Sequence, residues 1–182
     1  MHSDTASAEM NITLTPVGHV ENTITEKTFT PHGNDDPDER LKQIKKHRKE
    51  TRDTLSTLVI RPRYAELLDG IEQFSHIVVV YWPHRLPPED RQLQKVHPMG
   101  RKEIPLQGIF ATRSPARPNP LLISTVQLHK RKDNTLQVQG LEALDKSPIL
   151  DIKPITRALD TEEALRYPQW IHDINQDLNR SD

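Results

Sequence analysis

Cysteine is absent from the chain, which excludes disulfides, a thiolate nucleophile and cysteine-based metal sites together. Glycine is scarce, with only 6 in 182 residues. Neither the G-x-G-x-x-G turn of a dinucleotide fold nor the phosphate-cradling P-loop spacing occurs. Charge of one sign is also lacking: 25 Lys and Arg stand against 26 Asp and Glu, a formal net charge of -1. A globally basic nucleic-acid binder is therefore excluded, and any RNA contact must use a local patch. No apolar run approaches membrane length, and the opening M-H-S-D-T-A-S-A-E-M has neither a basic n-region nor an apolar h-region. The expectation is a soluble, cytoplasmic protein with no membrane contact.

What remains is enough for one domain with a core. The apolar fraction is 34% and the charged fraction 28%, so that core must coexist with polar extensions. Residues 1–10 read as a flexible leader, 11–160 as the folded domain and 161–182 as a helical tail. Nine histidines raise the question of metal, but no H-E-x-x-H occurs, and His76, His84 and His97 are scattered, so no metal site is expected. His76, on an apolar strand, reads as a core or barrel-lining imidazole. Ser124 lacks the G-x-S-x-G elbow of a serine nucleophile.

The most unusual stretch is G-I-F-A-T-R-S-P-A-R-P-N-P-L-L-I-S, residues 108–124. It reads as a strand at Ile109 and Phe110, then a segment stiffened by Pro115, Pro118 and Pro120, then a second strand from Leu122. The prolines fix φ and remove donors, so no helix or central strand runs through. Stiff backbone loses little entropy on being held in one shape, which suits a wall that grips a ligand. Arg113, Arg117 and the amide of Asn119 are mounted on it.

Along the rest of the chain, residues 11–20 alternate as a first strand and 21–34 read as loop. Asp36 caps a helix with Pro37 at its first position and Glu39 three residues after the cap, running to about Asp53. Lys42, Lys45, Lys46, Lys49 and Arg52 form one basic stripe on it, which reads either as a solvated face or as a phosphate-binding one. Strands follow at 54–61, at 74–82 (the most apolar, central) and in a hairpin, 122–130 and 136–140, turning at Asp133 and Asn134. A helical turn is expected at 64–70 and an irregular basic loop at 89–106. A last strand spans 148–155, with Asp151 and Lys153 on one face. Two short helices are expected around Tyr167 and Pro168. Short strands with non-local returns and no βαβ alternation point to a mainly β protein, an antiparallel barrel with peripheral helices.

Arg113, Arg117, His84, Arg85, Glu142, Asp145, Asp151 and Lys153 make up a mixed-charge set. Such a set suits a zwitterionic ligand bearing a positive sulfonium: an arginine forks a carboxylate, and carboxylates or carbonyls receive an ammonium or a ribose. Structural ion pairs are the competing account of each residue taken singly.

The string F-A-T-R-S-P, then R-P-N-P and a Ser, then Leu144-Asp145, Pro148 and Leu150-Asp151-Ile152-Lys153-Pro154, resembles the signature of the TrmO-like (TsaA-like, YaeB) family of tRNA methyltransferases. The resemblance covers residues 12–20 and 55–156, in the short single-domain form. It implies an antiparallel β-barrel, S-adenosyl-L-methionine as cofactor, a homodimer with the site near the subunit boundary, and N6-methylation of threonylcarbamoyladenosine beside the tRNA anticodon. Cofactor contacts carry over to His84, Arg85, Arg113, Ile123, Glu142, Ala143, Leu144 and Asp145. Arg113 and Asp145 are the expected catalytic residues, Asp145 either taking the proton or holding the cofactor. RNA contacts fall to Lys42, Lys45, Lys46, Lys49, Arg52 and Arg117.

The chain also departs from that signature. P-R-Q is missing after the first strand, where the basic helix stands as an insertion. N-P-I-G-L-S becomes N-P-L-L-I-S, and L-D-G-T-P becomes L-D-K-S-P, with Lys146 where glycine is expected. These changes bear on substrate identity more than on fold, and leave open another RNA or a small molecule as substrate, or a non-catalytic adenosyl-ligand module.

Overall fold

A period of two runs through the apolar strands: Leu58 and Ile60, then Ile77, Val79 and Tyr81, then Val126 and Leu128, then Leu136 and Val138 are all buried. Residues two apart share one face of a strand, so each segment turns an aliphatic edge to the same side. Six strands closed into a barrel bury all those edges against one another and leave no open sheet edge. The structure, a computed structural model, describes residues 11–26, 36–156 and 166–179.

In chain order the elements are β1 (Gly18–Glu21), α1 (Pro37–Asp53), β2 (Leu55–Ile60), β3 (His76–Tyr81), β4 (Lys95–Val96), β5 (Gln107–Gly108), β6 (Leu122–Lys132), β7 (Thr135–Gln139), β8 (Pro148–Pro154) and α2 (Gln169–Asn179). The barrel order is β1-β2-β7-β6-β3-β8, with every pairing antiparallel. Closure falls between β1 and β8, where Gly18 faces Ile149 and His19 faces Pro148. On its other side Gly18 packs closely against β2. A Cβ there would lie 2.3 Å from the Val59 carbonyl oxygen, so no side chain fits without moving β2. The interior holds Val20, Leu58, Ile77, Val79, Leu136, Val138, Leu141 and Ile149, each fully buried. Burial of an aliphatic side chain of this size contributes about 1.5–3 kcal/mol.

The expected barrel is present, and α1 starts as its sequence requires: Asp36 Oδ1 accepts from the Asp38 N–H at 3.0 Å, with Pro37 in the first turn. Glu39 pairs with Lys42 at 2.8 Å. The helix is not wholly solvated. Arg40 is 3% exposed and donates Nε–H to the Met99 carbonyl at 3.0 Å, and Ile44 is also buried. Outside the barrel core, Ile104 and Ile174 are buried too. Arg101 ties the segment before Ile104 to α2 through Asp177 at 2.8 Å.

Several expectations are corrected. The first strand is Gly18–Glu21, not 11–20. Residues 11–17 have no regular structure and leave Ile12 77% exposed, because β2 and β8 pair with β1 only from Gly18 onward. Ile109 and Phe110 are not a strand. The strand there ends at Gly108, and residues 109–111 form one 3-10 turn because the Thr112 N–H and hydroxyl both turn back to the Ile109 carbonyl. The loop 89–106 is not structureless: it contains β4, which pairs with β5, and short 3-10 turns. His76 does not line the barrel. Its parity is opposite to that of buried Ile77, so it is exposed, with Nδ1 against Ser75 Oγ at 3.0 Å. The turn after β2 is a 3-10 helix, Pro62–Leu68. Of the two tail helices, α2 is present from Gln169; the other falls partly on 161–165, outside the described residues, and residues 166–168 are not helical.

Candidate functional site

Antiparallel closure sends the C-terminal ends of β1, β7 and β3 and the N-terminal ends of β2, β6 and β8 to one rim. That rim collects the residues singled out above from the motif. His84 and Arg85 follow β3, Ile123 is the second residue of β6 just after the proline-rich loop bearing Arg113, and residues 142–145 link β7 to β8.

The link from β7 to β8 is tied to the end of β1 by Asn22. Its backbone N–H donates to Asp145 Oδ1 at 3.1 Å, and its side-chain amide donates to the Ala143 carbonyl at 2.9 Å and to Ser56 Oγ at 3.0 Å. The Asp145 N–H donates in turn to the Ile24 carbonyl at 2.7 Å. Ser56 and Ala143 are each 1% exposed, so this knot is the buried floor under a half-buried Asp145 carboxylate. Sequence reasoning misses both Asn22 and Ser56. Asn22 reads like any loop asparagine, and nothing local marks it.

Lys146 follows with φ of 63°. This is the left-handed region that glycine adopts freely and a lysine does not, so the position keeps the backbone of the expected glycine while carrying a side chain. Lys146 Nζ uses its reach to meet Glu21 Oε1 at 2.8 Å. Both side chains are largely exposed, and each shifts the other toward its charged form, Glu21 downward and Lys146 upward, through their hydrogen bond first.

Across the rim, His84 Nδ1 lies 3.2 Å from the buried Ser147 hydroxyl. Its pKa is pulled below the ordinary 6.5, mainly by burial and secondly by the Arg85 charge, with Asp145 acting in the opposite direction. Arg85 donates to the Thr25 carbonyl. Arg113 is exposed and uses one nitrogen, Nη2, to hold the Ile123 carbonyl at 2.9 Å. Behind it, Tyr81 is buried, its hydroxyl 3.4 Å from Ser124 Oγ, and desolvation pushes its pKa up to about 12. Glu142 raises that value and Arg113 lowers it, so both charges act on the same phenol. Glu142 also meets His47 of α1 at 3.3 Å, which brings the helix to the rim.

Other residues are placed differently. Arg117 turns into its own loop, donating from Nε to the Ser114 carbonyl at 3.0 Å and from Nη2 to the Thr112 carbonyl at 2.7 Å. Asp151 and Lys153 form an ion pair at 2.6 Å in the middle of β8. Lys42, Lys46, Lys49 and Arg52 stay exposed along α1, with Lys46 3.8 Å from Glu50. Among the described residues no His, Asp and Glu cluster could hold a metal ion, and no helix is long and apolar enough to cross a membrane. A hollow of about 290 Å³ lined by Pro62, Asp69, Arg131 and Asn134 lies at the opposite end of the barrel.

A closed six-stranded antiparallel barrel whose rim gathers arginines, a histidine and carboxylates defines a class apart from the dinucleotide-type α/β enzymes: the TsaA-like barrels. Within it, the chain belongs to the family of the tRNA-methyltransferase O N-terminal domain, whose pattern matches residues 39–161. It is 39% identical over 112 residues to a protein of Methanocaldococcus jannaschii named "probable S-adenosyl-L-methionine-binding protein", covering 61% of this chain and 89% of that one. An S-adenosyl-L-methionine-binding protein of Archaeoglobus fulgidus is 38% identical over 117 residues, 64% of this chain and 81% of its own length. A crystal structure of TrmO superposes with a TM-score of 0.62 at 28% identity; the match covers 87% of this chain and 64% of TrmO.

Proposed function

We propose that the chain binds S-adenosyl-L-methionine on this rim and transfers its methyl group to N6 of threonylcarbamoyladenosine at position 37 of tRNA. The observation that carries the reading is the convergence of His84, Arg85, Arg113, Ile123 and residues 142–145 from three strand connections onto one end of the barrel. The donor set fits the cofactor. The exposed Arg113 guanidinium is aimed by its bond to Ile123 and offers a planar fork to a carboxylate. Asp145 and the carbonyls beside it offer acceptors to an ammonium or a ribose, since one bond to Asn22 leaves the carboxylate with further lone pairs.

When bound, the cofactor supplies a methyl group on a positive sulfonium. The protein's part is orientation and proton handling. An exocyclic N6 is a weak nucleophile, because its lone pair is delocalised into the ring, so holding it in line with the methyl group supplies much of the rate. Asp145 is placed either to accept the N6 proton or to hold the cofactor, fixed in both cases by the Asn22 knot. His84, with its depressed pKa, stays neutral at pH 7 and adds no positive charge near the sulfonium. Residues 11–160 form the catalytic unit, with α1 as a basic element facing RNA. Two chains form the working homodimer, whose mass light scattering reads directly.

The test is incubation with S-adenosyl-L-methionine and tRNA from a strain lacking the gene, followed by nucleoside mass analysis. One added methyl on threonylcarbamoyladenosine is expected. Methylation elsewhere, or of a small molecule only, would keep the cofactor site and replace the substrate. A second reading, a non-catalytic adenosyl-ligand module, is favoured by the names of the two archaeal relatives, which state binding and no reaction. It predicts cofactor binding with no transfer to any RNA.

A further inference from the structure

Phe110 is 80% exposed, the most exposed large apolar side chain among the described residues. A lone exposed Phe needs no explanation, but this one is displayed on an unusually fixed mount. Its neighbour Ile109 is 6% exposed and takes three donors on one carbonyl: the Thr112 N–H at 3.2 Å, the Thr112 hydroxyl at 2.9 Å and Arg117 Nη2 at 3.3 Å. The Ile109 N–H is held by the Gln94 carbonyl at 2.9 Å. Arg117 is therefore a brace for the turn that carries the ring. Three residues on stands Arg113, anchored to Ile123, which is itself 50% exposed. Lys95 is paired with Gly108 across the β4–β5 ribbon, and no Asp or Glu occurs anywhere from residue 104 to 132. A rigid, solvent-facing aromatic ring in a stretch of sequence free of carboxylates, three residues before an anchored arginine, matches a flat π-surface carried on a polyanion.

We infer that Phe110 is a stacking platform for a nucleobase of the RNA substrate, next to the Arg113 rim. The inference rests on the proposed RNA methyltransferase reading and names a positioning residue for it. The probe is an anticodon stem-loop oligoribonucleotide carrying 2-aminopurine beside position 37, whose fluorescence falls when the base is stacked. Wild-type protein should quench it. F110A should lose the quenching and bind the RNA roughly 5- to 150-fold more weakly, the range found for loss of one stacked base. F110Y and F110W should retain both. Circular dichroism, S-adenosyl-L-methionine affinity by calorimetry and mass by light scattering should be unchanged in F110A.

Equal RNA binding and quenching by F110A and wild type would overturn the inference, as would no RNA binding by either. A dimer that becomes a monomer in F110A would assign the ring to a second copy of the chain. Weakened cofactor binding with RNA binding intact would assign it to the adenine of the cofactor. The two layers separate cleanly. If the methyltransferase reading fails, wild-type protein transfers no methyl group whatever Phe110 does. If only the stacking inference fails, wild type methylates and F110A matches it at subsaturating RNA.

Discussion

The Asn22 N–H donates to Asp145 Oδ1 at 3.1 Å across 123 positions of sequence. The same asparagine bonds the Ala143 carbonyl and Ser56, and its own Oδ1 receives the Ile24 N–H at 2.9 Å. The Asn22 backbone thus holds the Asp145 carboxylate, while its side chain ties that backbone to residue 143 and to β2. Asn22→Ala leaves the Ala143 carbonyl and the buried Ser56 hydroxyl short of a partner, a loss of about 1–3 kcal/mol. The expected result is a lower melting temperature together with weaker S-adenosyl-L-methionine binding, while Asp145→Asn weakens binding or turnover with little effect on melting. Full cofactor affinity in both variants would remove residues 142–145 from the site.

Arg113→Lys keeps the charge but not the fork, nor the bond that aims it at Ile123. Loss of a charge-assisted pair is worth about 1.5–3 kcal/mol, so the cofactor dissociation constant should rise on the order of tenfold to a hundredfold by calorimetry run without added metal. Wild-type affinity with lysine would make Arg113 an ordinary surface charge.

His84 sets a pH dependence of definite sign. Its pKa in the folded protein is lowered from 6.5, by burial first and by Arg85 second, with Asp145 opposing. A group held neutral in the fold binds fewer protons there than in the unfolded chain, so stability rises with pH across the window between the lowered value and 6.5, and is flat above it. Cofactor affinity should follow the same course, flat above 6.5 and falling as His84 gains its proton, since an added positive charge opposes the sulfonium. His84→Asn should flatten the acid limb. An unchanged limb would assign the titration to another group.

Lys146→Gly relieves the left-handed backbone at φ 63° while removing the exposed ion pair with Glu21. Exposed pairs of this kind contribute little, and the backbone term should dominate. The variant should melt no lower than wild type in a thermal scan. A clear drop would show that Lys146 contributes more through Glu21 than its backbone strain costs.

Reversing Lys45, Lys46 and Lys49 to Glu on α1 should weaken tRNA binding and flatten its salt dependence, by about 0.7–0.9 in log–log slope for each phosphate that is no longer neutralised. S-adenosyl-L-methionine affinity should not change. If RNA binding survives, the stripe is a solvated face. If cofactor binding falls instead, α1 reaches the site itself, consistent with its His47–Glu142 pair at 3.3 Å.

Local chemistry was legible in the sequence: the Asp36 cap, the strands β2, β3 and β7 and the turn at Asp133 each depend on neighbours a few positions apart, and the motif that nominates Arg113 and residues 142–145 as candidates is equally local. Parity misled where a pattern lay outside the strand ladder, as at residues 11–16, and at His76, whose face was decided by Ile77. Only the closed barrel decided that Asn22, Ser56, Tyr81 and Ser147 belong beside those motif residues, and that Arg117 braces its own loop while Arg113 faces outward. The physical reason is register. Which strand ends share a rim, and which amide meets which carboxylate, depend on pairings between segments as far apart as β1 and β8, and a local pattern carries no record of them.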